Sequence, residues 1–336
     1  MTVRRAGKRR SENSTIVRIS IIRAGIALLG RLSPPLAAAA VERLLSTPPR
    51  PRRSRGRGPL SRGRRVDVPV DGRPVAAWRF GGAGPAVLLV HGWGGQAAQL
   101  TSFVAPLVDR GFGVLAFDGP GHGRSGRGMS SAPQLARAVR AVADLASPLH
   151  GVVAHSLGAA ATAVAMEQGL SVRRVAFVAP MLDPVGRLGE LNRVLGVPDH
   201  VADRVRERSE RRIRVRWDDL RSHRLARDPG VPALVVRDRD DREVSARDGE
   251  AAAASWSDVR FVRTAGLGHN RVLRSSAVVE EIVRFVTEGA ESCGCGRPRR
   301  LGDAVCEACA LEGELFDPRR RPSVPAALTA AGTPAR

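Results

Sequence analysis

From residue 66 onward, short apolar runs with strand-like texture alternate with helical stretches. No other feature constrains the fold of this chain as much. The strand-like runs are Ala86–His91, Gly113–Asp118, Val152–His155, Arg174–Val178, Ala233–Arg237 and Arg260–Arg263. Helical stretches cover 97–109, 132–146, 157–168, 246–255 and 275–287. Ahead of them, Val66–Val70 and Val75–Phe80 flank Asp71-Gly72, a hairpin signal. Alternation of this kind implies an α/β fold with a mostly parallel central sheet and helices on both faces. Ligands of such sheets bind at the carboxyl ends of the strands. Functional residues are therefore expected just after strands. Residues 183–229 break the alternation with a polar, Arg-rich, helix-leaning segment that reads as an inserted cap.

Composition adds less than its extremes promise. The 336-residue chain carries a formal charge of +21, which invites a nucleic-acid reading. Yet residues 1–65 hold 17 basic and 2 acidic residues, whereas residues 66–292 hold 30 and 26. The excess thus belongs to the N-terminal segment, and the central region is close to neutral. Lys8 is the only lysine, an Arg-for-Lys bias that tells little about function. Within the N-terminal segment, residues 1–14 read as polar and disordered. Ile16, Ile19, Ile22 and Ile26 recur at helical spacing, so an amphipathic helix is expected to pack on the main domain or lie on a membrane surface. An export signal needs an unbroken apolar stretch, and Arg18, Arg23 and Arg31 interrupt this one. Residues 48–65 form a Pro/Arg/Gly linker without interleaved aromatics, which removes the base-stacking signal of a single-strand binder. The expected setting is cytoplasmic, with an anionic-surface contact through residues 1–65 and no nucleic-acid partner.

The chemistry gathers at three strand ends. Ser156 stands in Ala154-His155-Ser156-Leu157-Gly158, between an apolar strand and an Ala-rich helix. A nucleophile elbow needs that strand–turn–helix placement and small residues around the serine, here Ala154 and Gly158. His91-Gly92-Trp93-Gly94-Gly95 follows another strand, and the Trp93 and Leu157 N–H groups are candidates to face one developing oxyanion. Asp238, Asp240 and Asp241 lie just past a third strand, and His269 lies in Gly266-Leu267-Gly268-His269-Asn270. A buried Asp can orient an imidazole, which then takes and returns the proton of a serine. The order Ser156, Asp241, His269, each just after a strand, is the chain order of one fold's triad.

These motifs, with Asp118-Gly119-Pro120-Gly121-His122-Gly123-Arg124-Ser125 and Asp238 to Val244, make residues 66–288 resemble the α/β-hydrolase superfamily. The resemblance implies a Ser156–His269–Asp241 triad. It selects Asp241 because the acid usually stands three residues before a Val, here Val244, with Asp240 as runner-up. It also implies that His122 braces a loop and that His155 is the variable residue of the elbow. The Ser at the elbow is unlike the Asp of dehalogenases in this fold. The implied activity is that of a serine hydrolase (esterase- or thioesterase-like) cleaving a small-molecule acyl ester or thioester through an acyl-enzyme, without a catalytic cofactor. The alternative is a non-catalytic binding or scaffold protein of the same fold.

All four cysteines, Cys293, Cys295, Cys306 and Cys309, fall in one short stretch. Two close pairs can set four thiolates around a structural zinc ion. Disulfides are the competing reading and need an oxidising compartment. The expected organisation is a basic extension over 1–65, a hydrolase-like domain over 66–288 with its cap at about 183–229, a four-cysteine module resembling a zinc ribbon over 289–317, and a disordered tail over 318–336.

Overall fold

The computed structural model describes residues 2–49, 59–82, 84–146, 148–221 and 226–290. The cysteines and the tail lie outside the described residues. Eight strands form one sheet: β1 (Arg64–Val70), β2 (Arg73–Phe80), β3 (Ala86–Val90), β4 (Gly113–Phe117), β5 (Leu149–His155), β6 (Val172–Val178), β7 (Ala233–Asp238) and β8 (Val259–Thr264). Their spatial order is β1-β2-β4-β3-β5-β6-β7-β8. The hairpin β1–β2 is antiparallel and β2 joins β4 antiparallel, while β4, β3, β5, β6, β7 and β8 run parallel. Asp71 and Gly72 make the hairpin turn at φ 50° and 72°, the left-handed pair that matches strand twist.

Helices cover both faces. They are α3 (Val104–Val108), α4 (Ala132–Ala143), α5 (Leu157–Glu167), α8 (Ala246–Ser255), α9 (Gly268–Arg271) and α10 (Ser276–Thr287), in addition to two N-terminal helices and two cap helices described below. Along β3 to β7, side chains alternate between two cores. Leu88, Val90, Val152, Ala154, Val175 and Phe177 point to the α4–α5 side. Val87, Leu89, Val153, Ala176 and Val178 point to the α3–α10 side. Every residue of β3, β4, β5 and β7 is buried, which explains why these strands read as continuous apolar runs.

The cap consists of α6 (Pro184–Leu195), α7 (Asp199–Ile213) and a short 3₁₀ turn (Trp217–Leu220). Asp183 caps α6 by accepting from the Gly186 N–H, and Gly196 ends it in the left-handed conformation. The N-terminal segment departs from expectation. It is a long helix α1 (Thr2–Leu32) and a second helix α2 (Pro34–Ser46), so residues 2–14 are helical. Their Arg, Ala, Glu and Lys residues propagate a helix that the apolar segment beyond them anchors. Ser33 breaks the two, with Pro34 at the first position of α2. The inner faces of the pair supply Ile26, Ala37, Ala38 and Val41 to a third core with Val197, Val201 and Val205 of the cap. Among the described residues, no helix is long and apolar enough to cross a membrane.

Candidate active site

Ser156 occupies the turn between β5 and α5 at φ 53° and ψ −122°, a backbone state that a residue with a Cβ rarely adopts. Two glycines permit the turn. A Cβ on Gly92 would lie 2.7 Å from the Ser156 Cβ, and one on Gly158 would lie 2.8 Å from the carbonyl oxygens of Val90 and His91. The elbow is therefore pressed against the end of β3. Small residues are needed here for close approach of backbones.

The turn after β7 and the loop after β8 are laced together by three aspartates with different duties. Asp238 accepts from Thr264 Oγ1 at 2.7 Å and from the Gly268 and Leu267 N–H groups at 2.9 and 3.1 Å. Asp240 accepts from the Gly266 N–H at 2.6 Å. Asp241 alone meets the imidazole: its Oδ2 lies 2.8 Å from His269 Nδ1. Its Oδ1 accepts from the Glu243 and Val244 N–H groups at 2.8 and 3.2 Å. Burial pushes the Asp241 carboxyl up, but the His269 bond and the two N–H groups outweigh it and hold it below the usual carboxylate range. The side chains of Asp241 and His269 are 0% and 6% exposed.

Three further histidines shape the surroundings, and burial holds each neutral. His91 is pushed down to about 4, and His122 and His155 to about 3. Their hydrogen bonds fix the tautomers. His91 accepts from the Gly119 N–H at 2.8 Å, so its Nδ1–H donates to the Gly92 carbonyl at 2.7 Å. His122 accepts from the Gly94 N–H at 3.1 Å, so its Nδ1–H donates to the Pro120 carbonyl at 2.9 Å. These two rings clamp the loop after β3 to the loop after β4. His155 donates from Nε2 to the His269 carbonyl at 3.0 Å and ties the elbow to the histidine loop. Asp118 completes the bracing by accepting from the Ala97 and Arg124 N–H groups at 2.8 and 2.7 Å.

Ser156, Leu157, Trp93 and His269 line one cavity of about 500 Å³. Trp93 follows Gly92 at the end of β3, and Leu157 opens α5, where an N–H has no intrahelical acceptor. Above the serine the walls are mostly apolar: Met181, Val185, Leu188, Val205, Ile213 and Trp217 come from the cap and its approach. Leu45, Ser46, Glu42 and Pro49 come from the N-terminal segment, which the sequence marks only as an extension of the hydrolase-like domain. Glu42 is 3% exposed and receives Arg212 Nε at 2.8 Å and Arg208 Nε at 3.3 Å. Arg212 also donates to Gln134 and Ser46 at 2.8 and 3.2 Å, so one guanidinium joins α2, the cap and α4. One sequence signal does point there: Glu42 is the only acidic residue between Glu12 and Asp67. The cap arginines Arg206, Arg208, Arg211 and Arg212 are all ion-paired, and among them only Arg212 reaches the cavity. Among the described residues there is no His/Cys/Asp/Glu group able to hold a metal ion, and the cysteine cluster lies outside them.

This architecture has known counterparts. An uncharacterized protein of Mycobacterium tuberculosis is 30% identical over 254 residues, covering 69% of this chain and 82% of its own. A Pyrococcus furiosus esterase superposes with a TM-score of 0.54 at 17% identity, over 71% of this chain and 98% of that one. A thioesterase domain from the curacin biosynthetic pathway superposes with a TM-score of 0.50 at 20% identity, over 66% of this chain and 99% of the domain. These two superpositions speak for the fold. Residues 87–282 match the model of the alpha/beta hydrolase family, which spans more than half of the sequence. The chain therefore belongs to the alpha/beta hydrolase family and is a hydrolase.

Proposed function

We propose that the chain is a serine hydrolase that cleaves a carboxylic ester or thioester with an apolar acyl group. Ser156 is the nucleophile, His269 the general base and then acid, and Asp241 the partner that orients His269. The observation that carries this reading is the buried 2.8 Å contact between His269 Nδ1 and Asp241 Oδ2, beside a serine at a strained elbow in the same cavity. Asp241 remains ionised and accepts the Nδ1–H, which leaves the Nε2 lone pair, with Glu243 Oε2 4.0 Å away, to take a proton.

In the first half-reaction Ser156 Oγ bonds to the acyl carbon while His269 Nε2 takes the hydroxyl proton. The carbonyl oxygen becomes an oxyanion held by the Trp93 and Leu157 N–H groups. Collapse breaks the bond to the leaving oxygen or sulfur, which receives the proton from His269. In the second half a water attacks the acyl-enzyme by the same route and frees the acid and Ser156. The apolar walls of Val185, Leu188, Val205, Ile213 and Trp217 support an aliphatic or aromatic acyl group over a charged one. Likeness in fold to an esterase and a thioesterase domain is consistent with either leaving atom.

The test is hydrolysis of an acyl series, as p-nitrophenyl esters and as thioesters, by the wild type and by Ser156→Ala and His269→Ala. Turnover by the wild type, lost by at least about a thousandfold in both variants with the fold retained, is the expected result. Equal turnover in Ser156→Ala would remove the serine from the mechanism.

A further inference from the structure

The outer face of the N-terminal helix pair is unlike the rest of the surface. Large apolar side chains that are strongly exposed number seven among the described residues, and six belong to this pair: Val17, Ile21, Leu28, Leu32, Leu36 and Leu44. Those of α1 follow one helical stripe, at spacings of four, seven and four residues. A different side of the same helix, with Ile22, Ile26 and Leu29, is the side that packs on the cap. From Val17 on, helix α1 thus carries two apolar stripes, and only one of them is covered inside the molecule.

Charge says what the other half meets. Between Val17 and Val41 the chain has no acidic residue, and Arg18, Arg23 and Arg31 are all exposed. On α2, Arg43 shares the exposed face with Leu36 and Leu44, at seven residues and one residue from them. Arg43 also lines a wide groove of about 1280 Å³. The same groove presents Arg73, Arg127, Arg140 and Arg214, and none of these five has an acidic partner among the described residues. A second copy of the chain laid on this face would set arginine rows against each other. A bilayer bearing anionic phospholipid offers both what the leucines and what the arginines require: acyl chains at the level of the stripe and phosphates for the guanidinium groups.

We propose that the outer face of α1 and α2, with the adjoining arginine groove, is a docking surface for membranes containing anionic phospholipid. The placement has a consequence for the reaction. Helix α2 carries Leu44 and Arg43 on its exposed face, and Glu42 and Leu45 on the wall of the cavity that holds Ser156. Docking thus sets the bilayer against the outside of a wall of the cavity in which an acyl lipid would meet the serine. That last step rests on the hydrolase reading above, whereas the docking itself does not.

The experiment is co-sedimentation of the full chain with vesicles of phosphatidylcholine, with and without phosphatidylglycerol. The wild type, Leu28→Glu/Leu32→Glu, Arg43→Glu/Arg140→Glu and Ser156→Ala are compared. Expected are binding to the phosphatidylglycerol vesicles, weakening with added salt, and a loss of about tenfold or more in affinity for each surface variant. Ser156→Ala binds as the wild type does. A soluble short-chain ester is turned over equally by the wild type and the surface variants, while an ester embedded in the vesicles is turned over less by the variants. No vesicle binding by the wild type, or binding indifferent to phosphatidylglycerol, overturns the proposal. So does a concentration-dependent dimer dispersed by Leu28→Glu/Leu32→Glu, which would make a second copy the occupant. Absence of soluble-ester turnover with vesicle binding intact would sink the hydrolase reading alone.

Discussion

Replacing Ser156 by alanine and by glycine separates the chemistry of this residue from the strain at its backbone. Either change removes the hydroxyl, so both variants are expected to be inactive. They differ in what the turn then costs. Alanine keeps a Cβ at φ 53° and ψ −122°, so the strain of this conformation stays, of order 1–3 kcal/mol. Glycine adopts the conformation freely but loses about 0.5–1 kcal/mol more backbone entropy on folding. The difference leaves the glycine variant more stable than the alanine variant by about 0–2.5 kcal/mol, centred a little above 1. For a domain of this size that is about 2–4 °C in melting temperature for each kcal/mol. The neighbouring glycines keep the turn in place in both variants, since β3 and α5 have no room to relax toward Gly92 and Gly158. Thermal unfolding followed by circular dichroism, with urea unfolding as a check, measures the gap. A glycine variant that melts below the alanine variant would refute the claim that the elbow stores strain for the sake of the hydroxyl.

Asp241→Asn should lower kcat by about ten-thousandfold while leaving substrate binding nearly unchanged, because the amide cannot hold the imidazole in the same tautomer; Asp240→Asn, which faces the Gly266 N–H, serves as the control and should retain most activity. The Asp241 carboxyl is held low in the fold, so its contribution to stability is complete above the unfolded value near pH 3.9 and is lost as pH falls through the lower folded value; acid unfolding of Asp241→Asn should lack that component. Glu42→Ala leaves Arg212 and Arg208 without their carboxylate at the base of α2. After allowing for the partial exposure of both arginines, about 1–3 kcal/mol of local stability should go, read as faster hydrogen exchange in α1 and α2 and a raised KM for long acyl esters. Finally, His91, His122 and His155 are held neutral in the fold, whereas an unfolded imidazole protonates near pH 6.5. The unfolded chain therefore binds more protons below that pH, and stability falls between about pH 6.5 and 4 by up to about 1.4 kcal/mol per pH unit for each ring. A melting temperature that is flat between pH 7 and 5 would count against these burial assignments.

The parallel sheet is legible in the sequence because its central strands are buried on both faces and so carry unbroken apolar runs between turn residues. The elbow is legible for a related reason: a tight turn against β3 tolerates only small neighbours, and Gly158 and Gly92 stand where those contacts fall. Serine, acid and histidine are legible as one set because the strand ends that carry them all open on one side of the sheet. The particular duty of each aspartate after β7 is not legible, because Asp238, Asp240 and Asp241 differ only in which loop atom they meet, and that depends on the path of residues 264–269. The N-terminal helices are the clearest case of hidden function. Their sequence shows an apolar periodicity, and nothing in a periodicity says that Leu45 and Glu42 will close a cavity around Ser156, far from them in the chain. The lone carboxylate of Glu42 in an arginine-rich stretch is the one local mark of a specific partner. The cap arginines show that an Arg-rich run need not be a ligand site, since Arg206, Arg208, Arg211 and Arg212 are paired with Glu42, Glu207, Glu210 and Asp218.

Labelling with a fluorophosphonate probe tests, without knowledge of the substrate, whether Ser156 is an activated nucleophile. The wild type should form a stoichiometric covalent adduct at Ser156, identified by peptide mass spectrometry. Ser156→Ala should form none, and Asp241→Asn should react far more slowly. Folded wild-type protein that remains unlabelled would contradict the account and leave a hydrolase scaffold with a binding role in its place.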